Sequence, residues 1–345
     1  MLVLGGPGSH EGHEEEGHPE RPERVTAVLA GVGDLDLAGD LVRAPAREAT
    51  RAELLAVHDG AYLDELGAFC YGGGGDIDED TYATYDSYTI ARATAGSGLA
   101  VVDELRRREA GVGLVVTRPP GHHALAGRAM GFCLLNNVAI AAAHLAAAGE
   151  RVAIIDFDVH HGNGTQEIFW NDPRVLYVSS HQMPLFPGSG MSSEVGGPDA
   201  IGATCNLPLP AGATGDVVAH AYESIAGPVL DAFAPTWVLV SAGYDAHRSD
   251  PLADLALTSG DFAALARFAG QFTPEEGRLA FFLEGGYNLQ ALRASIAATL
   301  ASALGESRAS EAPSSGGPGH DAVLRSAALR AAALERARDE TGDTT

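Results

Sequence analysis

Four short segments of this chain carry side chains that could do chemistry together. Asp156, Asp158 and His160 stand at i, i+2 and i+4 in DFDVHHGNG, so an extended backbone points all three to one side. Joined by Asp245 from AGYDAHRSDPL, Asp158 and His160 make three ligands with positions left open. That is the pattern of a catalytic zinc site; a structural one is closed by four protein ligands, usually cysteines. The Asp/His/Asp set also suits Fe(II), and Mn(II) more weakly. Two carboxylates neutralise a divalent cation. A D-x-D-x-H string alone is as often a solvated loop or a calcium or magnesium loop. Asp245 and a nearby histidine pair turn the balance toward a catalytic metal.

That pair, His122-His123, follows Pro119-Pro120-Gly121, a stiff turn that fixes the direction of both rings. Two adjacent imidazoles repel when both are charged, so one should titrate lower than the other. Such a pair suits general base and general acid work on a metal-activated water. Asp156 is the expected carboxylate behind a histidine, orienting its tautomer, because Asp158 is committed to the metal. An isolated HH dipeptide would more often be a capping or core pair. Tyr287, after Gly285-Gly286, can swing its phenol toward a developing oxyanion, although a lone Gly-Gly-Tyr turn is usually structural. Phe132 in Gly131-Phe132-Cys133, Phe186 and Leu252 could wall a narrow apolar channel for an extended alkyl chain ending in an amide. Plain core packing is the alternative for each.

These residues share one placement: each set follows an apolar run. The runs at 113–117 (GLVVT), 152–157 (VAIIDF), 237–241 (WVLVS) and 279–283 (LAFFL) are short and nearly continuous in apolarity, as strands covered on both faces should be. Residues 175–179 (VLYVS) are a fifth candidate. Helical stretches at 136–148, 216–233 and 259–271 lie between them, and strand–helix alternation implies right-handed crossovers and a parallel α/β sheet. Ligands of such sheets bind beyond the carboxyl ends of the strands, where all four sets would gather. No repeat of 20–50 residues is evident.

Composition narrows the partners. The chain has 345 residues, 46 Asp+Glu against 22 Lys+Arg, and a formal charge of −24; every one of the 22 cations is Arg. That charge argues against nucleic-acid binding and favours cationic ligands. Three cysteines, Cys70, Cys133 and Cys205, are too few and odd in number for a disulfide framework and suit a reducing compartment. The apolar run at 1–4 is too short for a signal peptide, and 134–149 is too short and too polar to span a bilayer. A cytoplasmic protein without membrane association is expected. Residues 305–320 read as a Ser/Gly/Pro-rich linker and 321–338 as one weakly amphipathic helix, docked on the body, that opens the terminal segment 321–345.

RPPGHHA (118–124), GFCLLNNVAIAA (131–142), DFDVHHGNGTQ (156–166), LFPGSG (185–190), AGYDAHRSDPL (242–252) and LEGGYN (283–288) resemble the zinc-dependent histone deacetylase family. The details are most similar to class II-like bacterial deacetylases and acetylpolyamine amidohydrolases. His18-Pro19-Glu20-Arg21-Pro22-Glu23-Arg24 resembles the family's N-terminal signature, and the resemblance runs from about residue 10 to 300. It implies the arginase/deacetylase fold, a central eight-stranded parallel sheet between helices, with a catalytic domain over 1–304. It also implies metal-assisted amide hydrolysis releasing acetate. Asp158, His160 and Asp245 become the zinc ligands, His122 and His123 the acid/base pair, Tyr287 the carbonyl polariser, and Phe132 and Phe186 the tunnel lining. Potassium beside the metal would use Asp156, Asp158 and His160 carbonyls with Ser179 and Ser180. Asn163 stands where class I enzymes carry an Asp behind the second histidine, which leaves His123 less basic.

The leading expectation is deacetylation of ε-acetyl-lysine in proteins or peptides. Hydrolysis of acetylated polyamines is the runner-up: the negative charge favours it, whereas Leu252 stands where polyamine-selective relatives carry an acid; the run Glu14-Glu15-Glu16 reads first as a solvated N-terminal loop and second as a rim that attracts cationic substrates. A silent binder of acylated ligands would not need the intact set, and a two-manganese ureohydrolase would need more carboxylates. A homo-oligomer is compatible with the sequence.

Overall fold

Runs of β-branched and aromatic residues without polar interruption demand cover on both faces, and the structure provides it. The computed structural model describes residues 1–345 except 7, 9, 38, 275 and 342–345. The strands are β1 (Leu2–Gly5), β2 (Leu41–Arg43), β3 (Gly74–Asp76), β4 (Tyr82–Thr84), β5 (Val112–Val115), β6 (Val152–Asp156), β7 (Val175–Gln182), β8 (Thr204–Leu209), β9 (Trp237–Ala242) and β10 (Leu279–Leu283). Eight form one sheet in the order β2-β1-β5-β10-β9-β6-β7-β8, while β3 and β4 form a separate antiparallel ribbon. Every pairing in the large sheet is parallel.

Successive residues of the interior strands enter different cores. Phe281, Val240, Ile155 and Leu114 pack with helices Glu23–Gly33, Ser259–Gln271 and Leu289–Ala303 on one face. Phe282, Leu239, Ile154 and Val115 pack with Ser87–Arg108 and Asn137–Ala147 on the other. Full burial of such a side chain contributes about 1.5–3 kcal/mol, so the sheet is the stable frame from which the site projects.

The five strand expectations all fall on strands, with shifted ends: β5 stops at Val115 and β7 continues to Gln182. Three sheet strands gave no recognised signal. The apolar run at 1–4 is β1, an interior strand. β2 is a three-residue, partly exposed edge, and Thr204, Asn206 and Pro208 interrupt the apolar pattern of β8. The helix expected over 216–233 bulges into a π-helical turn at Tyr222–Ala226 between Gly215–Ala221 and Gly227–Phe233. Pro228 lacks the N–H that a regular α-helix would require there.

The linker reading of 305–320 needs correcting. This stretch is an irregular strap hydrogen-bonded to the body through Glu311, Ala312, Ser314 and Gly317. A Ser/Gly/Pro composition signals the absence of helix and strand, but such residues can equally seat an extended backbone. The helix that follows, His320–Thr341, packs on β8, where Arg330 donates to the carbonyls of Thr204 and Gly202. Residues 342–345 of the terminal segment lie outside the described residues. No helix of the described residues is long and apolar enough to cross a membrane.

Candidate metal and acid–base site

The carboxyl ends of β5, β6, β9 and β10 meet at one cavity of about 230 Å³. Its lining includes His122, His123, Gly131, Phe132, Asp158, His160, Phe186, Leu252 and Tyr287. Asp156 and Asp245 lie beneath this lining, fully buried. Residues up to 165 positions apart in sequence are thus brought together by the register of four neighbouring strands.

Asp158, His160 and Asp245 each offer a ligand atom within 4.8 Å of the other two. His160 Nδ1 stands 3.2 Å from both Asp158 Oδ1 and Asp245 Oδ2. Among the described residues no other group of three His, Cys, Asp or Glu side chains has this proximity. The surroundings fit a divalent cation. Burial opposes a charge on His160, yet the two carboxylates raise it to about 10, the same demand for positive charge that a divalent cation would meet. Burial and the Asp158 carboxylate likewise push Asp245 up. Gly285 is required by this crowding, because a Cβ there would sit 2.0 Å from Asp245 Oδ2 and 2.7 Å from Asp158 Oδ2. Its N–H donates to Asp158 Oδ2 at 2.8 Å.

The two histidines are held differently. His122 Nδ1 donates to Asp156 Oδ2 at 3.0 Å, an oxygen that also accepts from the Tyr177 phenol at 3.0 Å. Burial opposes protonation of His122, but Asp156 and Asp158 outweigh it and raise the ring to about 10. His123 Nδ1 meets Asn163 Oδ1 at 2.7 Å. With only a neutral partner, burial together with the His122 and His160 charges drives His123 well below its usual range. The surroundings therefore favour charge on the first ring and neutrality on the second.

The Tyr287 phenol, raised by burial, remains a donor at neutral pH. Its ring is edge-on to Phe132 at 5.8 Å, and Phe186 is edge-on to His123 at 5.1 Å. Gly131 and Phe132 both adopt positive φ, 56° and 67°. A Cβ on Gly131 would lie 2.5 Å from His123 Cδ2, so only glycine lets this turn close over the histidine. Phe186 and Leu252, at 39% and 37% exposure, form the mouth. Glu14, Glu15 and Glu16 are exposed and take no part in the lining. For potassium, the Ser179 hydroxyl lies 2.9 Å from His181 Nδ1 and that of Ser180 3.1 Å from the Tyr222 phenol.

Several contributing residues escaped sequence reasoning. Glu20 and Arg24 were visible only as parts of a signature. Both are fully buried, with Glu20 Oε1 accepting from Arg24 and from Arg118. Arg24 donates to the carbonyls of Gly286 and Glu284 and lies 5.0 Å from the Tyr287 ring centroid. Glu284 accepts from the backbone N–H groups of Gly121 and His122, and burial raises it to about 7. Asp250 accepts the Tyr287 N–H at 2.7 Å. Asp80, from the loop before β4, stands at the cavity with its carboxyl raised by burial. Charged residues inside the quoted motifs were the available signal for most of them; Asp80 lies in an acidic run that reads as solvated surface.

An all-parallel eight-stranded α/β sheet with a buried Asp/His/Asp cluster at its carboxyl edge defines the arginase/deacetylase architecture. The Histone deacetylase domain model matches residues 18–303, so the chain belongs to the histone deacetylase family. Histone deacetylase 14, chloroplastic, of Arabidopsis thaliana is 40% identical over 321 residues, covering 86% of this chain and 75% of that protein. A histone deacetylase-like amidohydrolase of Pseudomonas aeruginosa is 37% identical over 298 residues, 83% of this chain and 76% of its own. The crystal structure of the HDA15 HD domain superposes with a TM-score of 0.87 at 34% identity, covering 98% of this chain and 99% of that one. The chain is accordingly a deacetylase/amidohydrolase-family protein.

Proposed function

We propose that this protein is a zinc-dependent hydrolase that removes acetyl groups from ε-acetyl-lysine in proteins or peptides, with residues 1–304 as the catalytic unit. The observation that carries this reading is the convergence of a three-ligand metal cluster, two unlike histidines and a buried phenol on one narrow cavity. Asp158, His160 and Asp245 would hold zinc, with Fe(II) the alternative for the same donors. The metal would supply polarisation of the amide carbonyl and acidification of a water.

The chain's own residues account for the rest. Asn163 Oδ1 accepts a hydrogen bond from the Nδ1–H of His123, which leaves the Nε2 lone pair of that neutral ring free to take the proton from water. His122, charged and locked by Asp156, stabilises the negative charge that develops nearby. Tyr287 donates its phenolic hydrogen to the oxyanion. His123 then returns its proton to the departing amine. Phe132 and Phe186 flank the cavity and suit the methylene stem of an acylated lysine. The free buried thiols Cys70, Cys133 and Cys205 suit a reducing compartment such as the cytoplasm.

The test is acetate release from an acetyl-lysine peptide by metal-reconstituted protein, beside Tyr287→Phe. That variant should keep its metal and lose about 10²–10³-fold in kcat, as loss of one oxyanion donor does; near-normal turnover would overturn the role. Acetylated polyamines are a second reading, favoured by Asp80 at the cavity and the charge of −24. Higher kcat/KM on acetylspermidine than on the peptide would select it.

A further inference from the structure

The strap at 305–319 lies beyond the residues that the family model matches, 18–303, yet it reaches the loop that builds one side of the site. Glu311 Oε2 accepts from His247 Nε2 at 2.9 Å and from the Ser259 N–H at 3.2 Å, while Oε1 accepts from Arg248. The other ring nitrogen of His247 accepts the Ser249 N–H at 3.1 Å. That settles the tautomer, with the Nε2 hydrogen pointing at the strap.

Beyond His247 the connections run inward. Its carbonyl accepts the Asp250 N–H at 2.8 Å. The Asp250 carboxylate accepts the N–H groups of Tyr287 at 2.7 Å and Asn288 at 3.3 Å, and Asn288 Nδ2 donates back to the Ser249 carbonyl at 3.0 Å. The same loop starts at Asp245 and carries Leu252 at the mouth. The strap is seated by fit as well as by charge: a Cβ on Gly260 would fall 2.6 Å from the Glu311 carbonyl oxygen and 2.8 Å from Pro313 N. A second anchor, Ser314, bonds Asp261 and the Gly215 N–H, away from this loop.

We propose that Glu311 is a positioning residue for Tyr287: by clamping His247 and Arg248 it holds the 246–252 loop, whose Asp250 seats the tyrosine backbone. The inference rests on the deacetylase reading of the site. Because Glu311 acts through geometry at the phenol, its loss lowers turnover while substrate affinity changes little. Ser314, which fastens the strap elsewhere, affects stability without affecting turnover.

The experiment compares full-length wild type, Glu311→Gln, Glu311→Asp and Ser314→Ala for melting temperature, kcat and KM on an acetyl-lysine peptide, and backbone hydrogen exchange. Glu311→Gln keeps the side-chain volume and one acceptor oxygen, so it retains the fold. Its kcat should fall about tenfold, the low end of the loss caused by removing an outer partner, with KM within about twofold. Exchange should quicken at 246–252 and 286–289. Glu311→Asp recovers part of the rate. Ser314→Ala lowers the melting temperature but leaves kcat and that exchange unchanged. Unaltered exchange at 246–252 in Glu311→Gln, or an equal kcat loss in Ser314→Ala, overturns the proposal. Quickened exchange in a protein whose wild type releases no acetate supports the clamp and refutes the assigned activity instead.

Discussion

The floor and the mouth of the cavity are built on different principles. At the floor, Asp156, Asp158 and Asp245 are fully buried at the ends of strands or one short step beyond them, and their oxygens are crowded by neighbours from other strands. At the mouth, Phe186, Leu252 and Asp80 come from separate loops, and all three are more than a third exposed. Charge in the floor is intelligible only as a set, since each carboxylate has meaning through the cation or imidazolium it faces. Residues at the mouth act nearly independently, screened by water. Changes at the floor should therefore abolish function, and changes at the mouth should redirect it.

The largest effect belongs to a proposed metal ligand. Asp245→Asn should reduce metal affinity by more than the roughly 10–100-fold that removal of an outer partner costs, with turnover lost in proportion. Metal content after dialysis, read beside activity, checks this; a variant that retains stoichiometric metal would show that the floor is not the interdependent set described.

The histidine pair offers a finer probe. In the proposed reaction His123 acts as the neutral ring, held well below its usual range, and His122 as the charged one, raised to about 10 by Asp156 and Asp158 against the opposing effect of burial. The rate should therefore persist as pH falls through 6.5, and should fall on the alkaline side as pH rises toward 10. A cation bound at Asp158 brings that alkaline limb lower, because part of the support for the His122 proton is then used. Asn163→Asp places a carboxylate behind His123 and should move the acid limb up by about one pH unit or more. A pH–rate profile identical to wild type would mean that His123 does not titrate in the reaction.

The smallest effect is expected at the mouth. Leu252→Glu, on a partly exposed site, should improve kcat/KM for acetylspermidine relative to an acetyl-lysine peptide by less than about tenfold, since exposed charge pairs contribute about 1 kcal/mol or less. Competition between the two substrates measures the ratio. A complete switch would show the mouth to be as interdependent as the floor.

The same contrast explains what was legible in the chain. Strand-following motifs such as DFDVHHGNG and LEGGYN announce the floor, because buried strands need unbroken apolar runs and the polar residues directly after them stand out. Strands β1, β2 and β8 were illegible for the converse reason: they are short, at an edge, or interrupted by Asn206 and Pro208. The strap misled because its Ser, Gly and Pro content describes local backbone preference and says nothing about Glu311 meeting His247.

By itself the sequence determined the class of sheet, the identity of the three candidate ligands, the histidine pair and the phenol, since residue type and local spacing are covalent properties. Only the tertiary structure decided which histidine faces a carboxylate and which an amide, and that Arg24 and Asp250 support the tyrosine loop. It alone also showed that the C-terminal strap reaches the site. Those facts depend on distances between segments remote in the chain, and electrostatic and hydrogen-bond energies fall off over a few ångströms that no local pattern records.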